Sequence, residues 1–274
     1  MERKVYVSAF ARISPRHPDP DYTGMFPVME ARRMSRLMKR ALAVSQQVLQ
    51  QAGVAVPDAI ITDTGLGCIE NTEHFIRSLS GLSDAPLRPT HFMQSTHNTI
   101  GSLIAIRLHC HGYNATYSQS AVSFESALLD AFVQIRLGLV ENALVGAFEE
   151  MTPAFADLLE RTGDKDVRVG DVLSETAVSL LRSADPAGAL CELADVTLRS
   201  PISLTSPVMP GLTGHLIPRA EYVARYGNNF CVSALGACDA IERIAAGTDP
   251  AVTVLNEVPG RSSATLLFQS VCGR

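Results

Sequence analysis

The sequence has no tryptophan, and aromatic residues make up only 6% of it. A stacking platform for single-stranded nucleic acid is therefore not expected. Charge is also sparse: 19% of residues are Asp, Glu, Lys or Arg, with a formal net charge of −5 at pH 7. The one basic cluster, "ARRMSRLMKRA" at 31–41, is short and amphipathic and reads as a helix with a basic outer face rather than a polyelectrolyte patch. No apolar run approaches the roughly 20 residues that a membrane helix needs. The opening "MERKVYVSAF" has neither a long apolar stretch nor a small-residue cleavage site, so no signal peptide is expected. These absences exclude nucleic acid and membrane insertion and point to a cytoplasmic protein. Cysteines 68, 110, 191, 231, 238 and 272 form no CxxC pair and lie in apolar contexts, as expected of buried free thiols in a reducing compartment. His91, His97, His109 and His111 do not have the spacing of a helical metal pair, and no metal or other cofactor is implied.

What is present is an alternation of strand and helix signals. Strands are expected at 4–13, 58–67, 114–120, 142–150 and 175–183. Helices are expected at 30–53, stopped by Gly53, at 95–112 with Ser95 as cap, and at 124–138. The second part is shorter, with strands at 189–200, 251–258 and 262–271 and a turn into a helix at 228–247. The run 200–214, rich in Pro, Gly and Thr, reads as a loop. A boundary near 184–188 divides the chain into 1–185 and 186–274, two parts sharing one rhythm. The fold class is α/β, layered, with a buried sheet.

"NATYSQSAVSFESALLDA" (114–131) passes from a strand through a small-residue turn into a helix, a geometry that aims a nucleophile at a pocket. No cysteine lies within it. "VYVSAFARISP" (5–15), the helix 31–53 and the ungapped run 95–150 together resemble the β-ketoacyl synthase group of the thiolase fold. That resemblance implies a duplicated α/β/α/β/α architecture with a shortened C-terminal half. It also implies a cysteine that takes an acyl chain and two histidines that assist decarboxylation of a malonyl unit. Here the cysteine position, seven after Asn114, falls on Ala121. One histidine position, in "NFCVSALG", falls on Phe230, and the stretch carrying the other is not found; His215 does not match its surroundings. Of the glycine turn before the last strand, only Gly260 fits.

Such condensed, degenerate chains resemble the chain-length-factor-like subunits of bacterial aryl-polyene and flexirubin-type pathways. The resemblance then implies a heterodimer with an active β-ketoacyl synthase, and contact with acyl carrier protein through that complex. His91, Phe92 and Met93 match the segment that shapes a neighbour's acyl tunnel, against the alternative that Phe92 and Met93 are ordinary core. Asn114, Tyr117 and Gln119 lie on the strand and turn that would meet the partner. Two other readings stay open. Ser118, Ser120 or Ser123 is a candidate acyl nucleophile with Gln119 as oxyanion donor, against serines that merely cap a helix. A homodimer that holds an acyl chain or carrier protein without chemistry is the other, with Arg32, Arg33, Arg36 and Lys39 as a candidate acidic-partner surface or simply a solvated face.

Overall fold

The computed structural model describes residues 3–81, 87–163, 171–200, 213–258 and 260–271. The first part contains strands β1 (Val5–Ile13), β2 (Ala59–Asp63), β3 (Tyr113–Tyr117), β4 (Asn142–Glu149) and β5 (Thr176–Ser183). Its helices are α1 (Val28–Ala31), α2 (Arg36–Ala52), α3 (Ile69–Leu79), α4 (Pro89–Met93), α5 (Thr99–Leu108), α6 (Ser123–Arg136) and α7 (Pro153–Thr162). The second part adds β6 (Cys191–Arg199), β7 (His215–Pro218), α8 (Arg219–Tyr226), α9 (Ser233–Ala245), β8 (Ala251–Glu257) and β9 (Ser263–Gln269).

The strands form one sheet in the order β3-β2-β4-β5-β1-β6-β9-β8-β7. Val5–Val7 of β1 pair antiparallel with Cys191–Leu193 of β6, so the two parts share hydrogen bonds across that seam. Helices α2 and α5 pack on one face of the first part; α6 and α9 occupy the other face and also contact strands of the second part. The strands are apolar on both sides because both faces are covered. Ile60, Leu144 and Leu181 enter the core beneath α2, while Ile61, Val145 and Leu180 enter the core around α6 and α9.

Several expected boundaries move. The helix expected over 30–53 is two helices, α1 and α2, with Ser35 capping the second by accepting the Met38 N–H at 3.3 Å. Gly53 ends it in the left-handed conformation, as expected. The helix expected over 95–112 covers only Thr99–Leu108: Ser95 instead bonds back to the Phe92 carbonyl, and His109 provides the left-handed stop. Helices α3 and α7 were not anticipated. The loop reading at 200–214 falls mostly outside the described residues, as does Cys272; Cys68, Cys191, Cys231 and Cys238 are buried free thiols and Cys110 is half-buried. No helix among the described residues is long and apolar enough to cross a membrane.

Candidate functional site: the turn at Ala121

Strand β3 is one edge of the sheet, and among the described residues it pairs with β2 alone. From its end the chain turns through Ser118 and Gln119 into a single 3-10 turn, Ser120–Val122, and then α6. Ser120 is one of two described non-glycine residues with positive φ, at +52°. The Ser123 hydroxyl locks the turn by accepting the Gln119 N–H at 2.8 Å and donating to the Ser120 carbonyl at 2.7 Å. Sequence counting placed the turn on Ala121; the strained residue is its neighbour. An L-residue held in the left-handed region costs about 1 kcal/mol relative to glycine. Ser120→Gly is therefore expected to stabilise the chain by about 0.5–1 kcal/mol, measured as a shift in urea midpoint at unchanged slope.

Ala121 is buried, and its carbonyl accepts a 2.6 Å hydrogen bond from Asn256 Nδ2 of β8. The same amide donates to Glu125 Oε1 at 2.8 Å. A methyl group thus stands where acyl transfer would need a nucleophile. Phe230, at the expected histidine position, is also buried, packed with Leu159 and flanked by Leu66, Met151, Phe155 and Leu173. Phe230 and these side chains form an apolar plug.

Behind the plug, the turn after β2 wraps a carboxyl group from β4. Glu149 accepts the Gly65 N–H at 2.6 Å, the Leu66 N–H at 3.2 Å and the Cys231 thiol at 3.5 Å. Burial nonetheless pushes Glu149 up to about 8 against these hydrogen bonds, and pushes Glu150 up to about 7. Burial also raises Glu125, and raises Asp63 well above the carboxylate range, with Glu125 and Glu149 adding to the latter shift. Neither Asp63 oxygen has a hydrogen-bond partner at contact distance. Burial raises the Cys231 thiol well above its usual value, so it is no thiolate nucleophile. No motif in the sequence marks these buried acids.

The serines near the turn are structural where they are engaged. Ser123 is fully buried in the turn lock, and Ser118 donates to the Gly65 carbonyl at 3.4 Å. Gln119 Oε1 accepts from Ser126 at 2.6 Å, and its backbone N–H is taken by Ser123. Asn114 donates to the Gly101 carbonyl at 3.1 Å and ties α5 to the edge strand. Tyr113 donates to Asp130 of α6 at 3.0 Å, and burial together with the same carboxylate pushes Tyr117 up to about 12. Both tyrosines therefore brace β3 against α6.

Phe92 and Met93 are not core: they are 58% and 72% exposed, and Phe92 touches only the ring of Phe75 at 5.2 Å between centroids among the aromatic contacts. Around the edge strand, Tyr113, Val133, Leu137 and Leu139 are exposed, with Ile106 exposed on the α5 side. Arg36 is engaged with Glu175 and Arg40 with both Glu175 and Asp19, so that part of the basic face is internally paired.

Residues 9–192 match the family model described as β-ketoacyl synthase, N-terminal domain. No curated protein matches the chain's sequence. Many solved structures share the fold, among them several at low identity. The ishigamide ketosynthase/chain length factor aligns with 98% of this chain and 99% of its own at 17% identity and a TM-score of 0.74. The AntDE–AntF complex, a type II polyketide synthase acyl-carrier protein with its hexaketide-bound ketosynthase, covers 99% and 100% at 12% identity and a TM-score of 0.82. The ketosynthase ApeO with its chain length factor ApeC from Xenorhabdus doucetiae covers 98% of each chain at 13% identity and a TM-score of 0.73.

Proposed function

The chain belongs to the β-ketoacyl synthase family, and from that premise we propose that it is a catalytically degenerate subunit that pairs with an active β-ketoacyl synthase and shapes its acyl tunnel, a chain-length factor. The observation that carries this reading is the combination at one turn: a complete strand–turn–helix scaffold, with a buried methyl at Ala121 and a phenyl plug at Phe230 in place of reactive groups. A lone replacement would leave chemistry to neighbours, but Glu149 is tied to backbone N–H groups and Cys231 is a buried, protonated thiol. The scaffold then serves position rather than reaction.

The edge strand supports the pairing half of the proposal. An uncovered sheet edge is a template for another strand, and here it is rimmed by exposed apolar side chains on α5, α6 and the strand itself. An active ketosynthase subunit is the partner proposed for it, with acyl carrier protein reached through the complex. His91, Phe92 and Met93 are the proposed tunnel segment, supported by two large apolar side chains standing free of the core. The pathway proposed is of the type II polyketide or aryl-polyene kind. The two proposed units are 1–185 and 186–274.

Restoring the two side chains tests the degenerate-site reading. The double variant A121C/F230H is expected to show no condensation of acyl and malonyl thioesters above the unaltered chain, because the second histidine and its loop have no counterpart here. Turnover by the unaltered chain alone would overturn it. In a reconstituted pair, Phe92→Ala with Met93→Ala is expected to change product chain length while leaving complex formation intact.

A further inference from the structure

A second site lies away from the turn. Between the α1–α2 connection, α3 and α4 is a cleft of about 620 Å³ whose lining includes Arg32, Arg33, Asn71, His74, Arg88 and His91. None of the three guanidinium groups has a side-chain hydrogen bond or ion pair among the described residues. Asn71 is 6% exposed, yet its Nδ2 has no acceptor. Nδ1 of His91 is likewise buried without a partner. The rings of His74 and His91 lie 5.2 Å apart. Burial, with His74 and Arg88 close by, holds His91 below the ordinary imidazole range.

These are the marks of a missing acceptor. An unpartnered buried donor costs about 1–3 kcal/mol, and among the described residues the Asn71 amide and, in its Nδ1–H tautomer, His91 are two such groups on residues that line the same basic cleft. The groups facing the imidazoles are Arg32 and Arg33 from the α1–α2 connection, Arg88 at the start of α4, and one carboxylate, Glu70 of α3. Positive charge therefore dominates, and a small oxyanion with several acceptor oxygens complements both rim and floor. Thr90, His91 and Gln94 line this side of α4, whereas Phe92 and Met93 stand outside the cleft. One short helix thus presents two different surfaces.

We propose that this cleft binds the phosphate group of a small phosphorylated ligand, with the Asn71 amide and the His91 Nδ1–H donating at the floor and Arg32, Arg33 and Arg88 neutralising charge at the rim. An acidic protein surface would use the arginine rim but would not reach the Asn71 amide. The site does not depend on the pairing proposed above.

Imidazole NMR of the full chain, titrated with inorganic phosphate at low ionic strength, tests it, with chloride at matched ionic strength as the reference. Phosphate is expected to shift His74 and His91 resonances to saturation and to raise the His91 pKa, while chloride produces only a small linear drift. Arg88→Ala, at an exposed position, is expected to weaken phosphate binding about tenfold. Asn71→Ala is expected to weaken it at least about threefold, without reducing chloride's effect. The same response to phosphate and chloride overturns the proposal, and so does saturable binding that both variants leave unchanged.

Discussion

Asp63→Asn is expected to raise the unfolding free energy by a few kcal/mol at pH 8 and to change it by less than about 1 kcal/mol at pH 4. Asp63 is 1% exposed and lies near Glu125 and Glu149, and among the described residues neither of its oxygens has a hydrogen-bond partner at contact distance, the Cys231 thiol standing close by. Folding therefore forces it to keep a proton that the unfolded chain gives up above its ordinary range near 4. Each such proton makes stability fall by about 1.4 kcal/mol per pH unit until the native pKa is passed. Glu149 adds the same sign: its favourable contribution is whole below about pH 4.5 and is lost as pH rises to about 8. The unaltered protein is thus expected to be more stable near pH 5 than near pH 8. Asparagine matches the shape of the protonated acid and removes one proton from that balance. Urea titrations at pH 4, 6 and 8 read it directly. Destabilisation by D63N at pH 8 would mean that Asp63 is a paired carboxylate, contrary to this account.

Gly65→Ala is expected to cost about 3–5 kcal/mol, enough to leave much of the chain unfolded. A Cβ built on Gly65 would stand 2.3 Å from Phe230 Cβ and 2.8 Å from Glu149 Oε2. Those atoms belong to the apolar plug and the buried acid, neither of which has room to retreat. Phe230→Gly alone removes the buried ring together with its Cβ and is expected to cost about 4–5 kcal/mol. In the double variant the new methyl occupies part of the vacated space, so the combined loss is expected to fall short of the sum by at least about 1 kcal/mol. Simple additivity would show that Phe230 is not what fills the space in front of Gly65.

The strands were legible because the sheet is buried on both faces, which writes them as apolar runs such as "AIITD" and "NALVGAFE". Helices α2, α6 and α9 were legible for a related reason, since each buries a broad stripe. Helices α3 and α7 are amphipathic, but α3 buries only Ile69 and Asn71 and α7 only Leu159, so their short apolar faces are barely covered and neither was read as a core helix. For α7 a signal did exist: Thr152 caps it, accepting from Phe155, and Pro153 occupies its first turn. At the candidate site, the replacements proposed at Ala121 and Phe230 rest on spacing within the family pattern, and both residues are buried. The left-handed Ser120 did not, because serine gives no mark of positive φ. The carboxyl cluster was hidden for a deeper reason: a lone Asp or Glu next to a turn reads as solvated. The turn before α9 brings Cys231 against Glu149 and close to Asp63, a meeting that no sequence spacing announces. The cleft donors at Asn71 and His91 come from separate helices that no sequence spacing relates.

Native mass spectrometry tests the central claim most directly. The chain would be expressed alone and then together with a full ketosynthase from the same organism. The account predicts a stable one-to-one complex in the second case. A soluble homodimer that ignores the ketosynthase would contradict it.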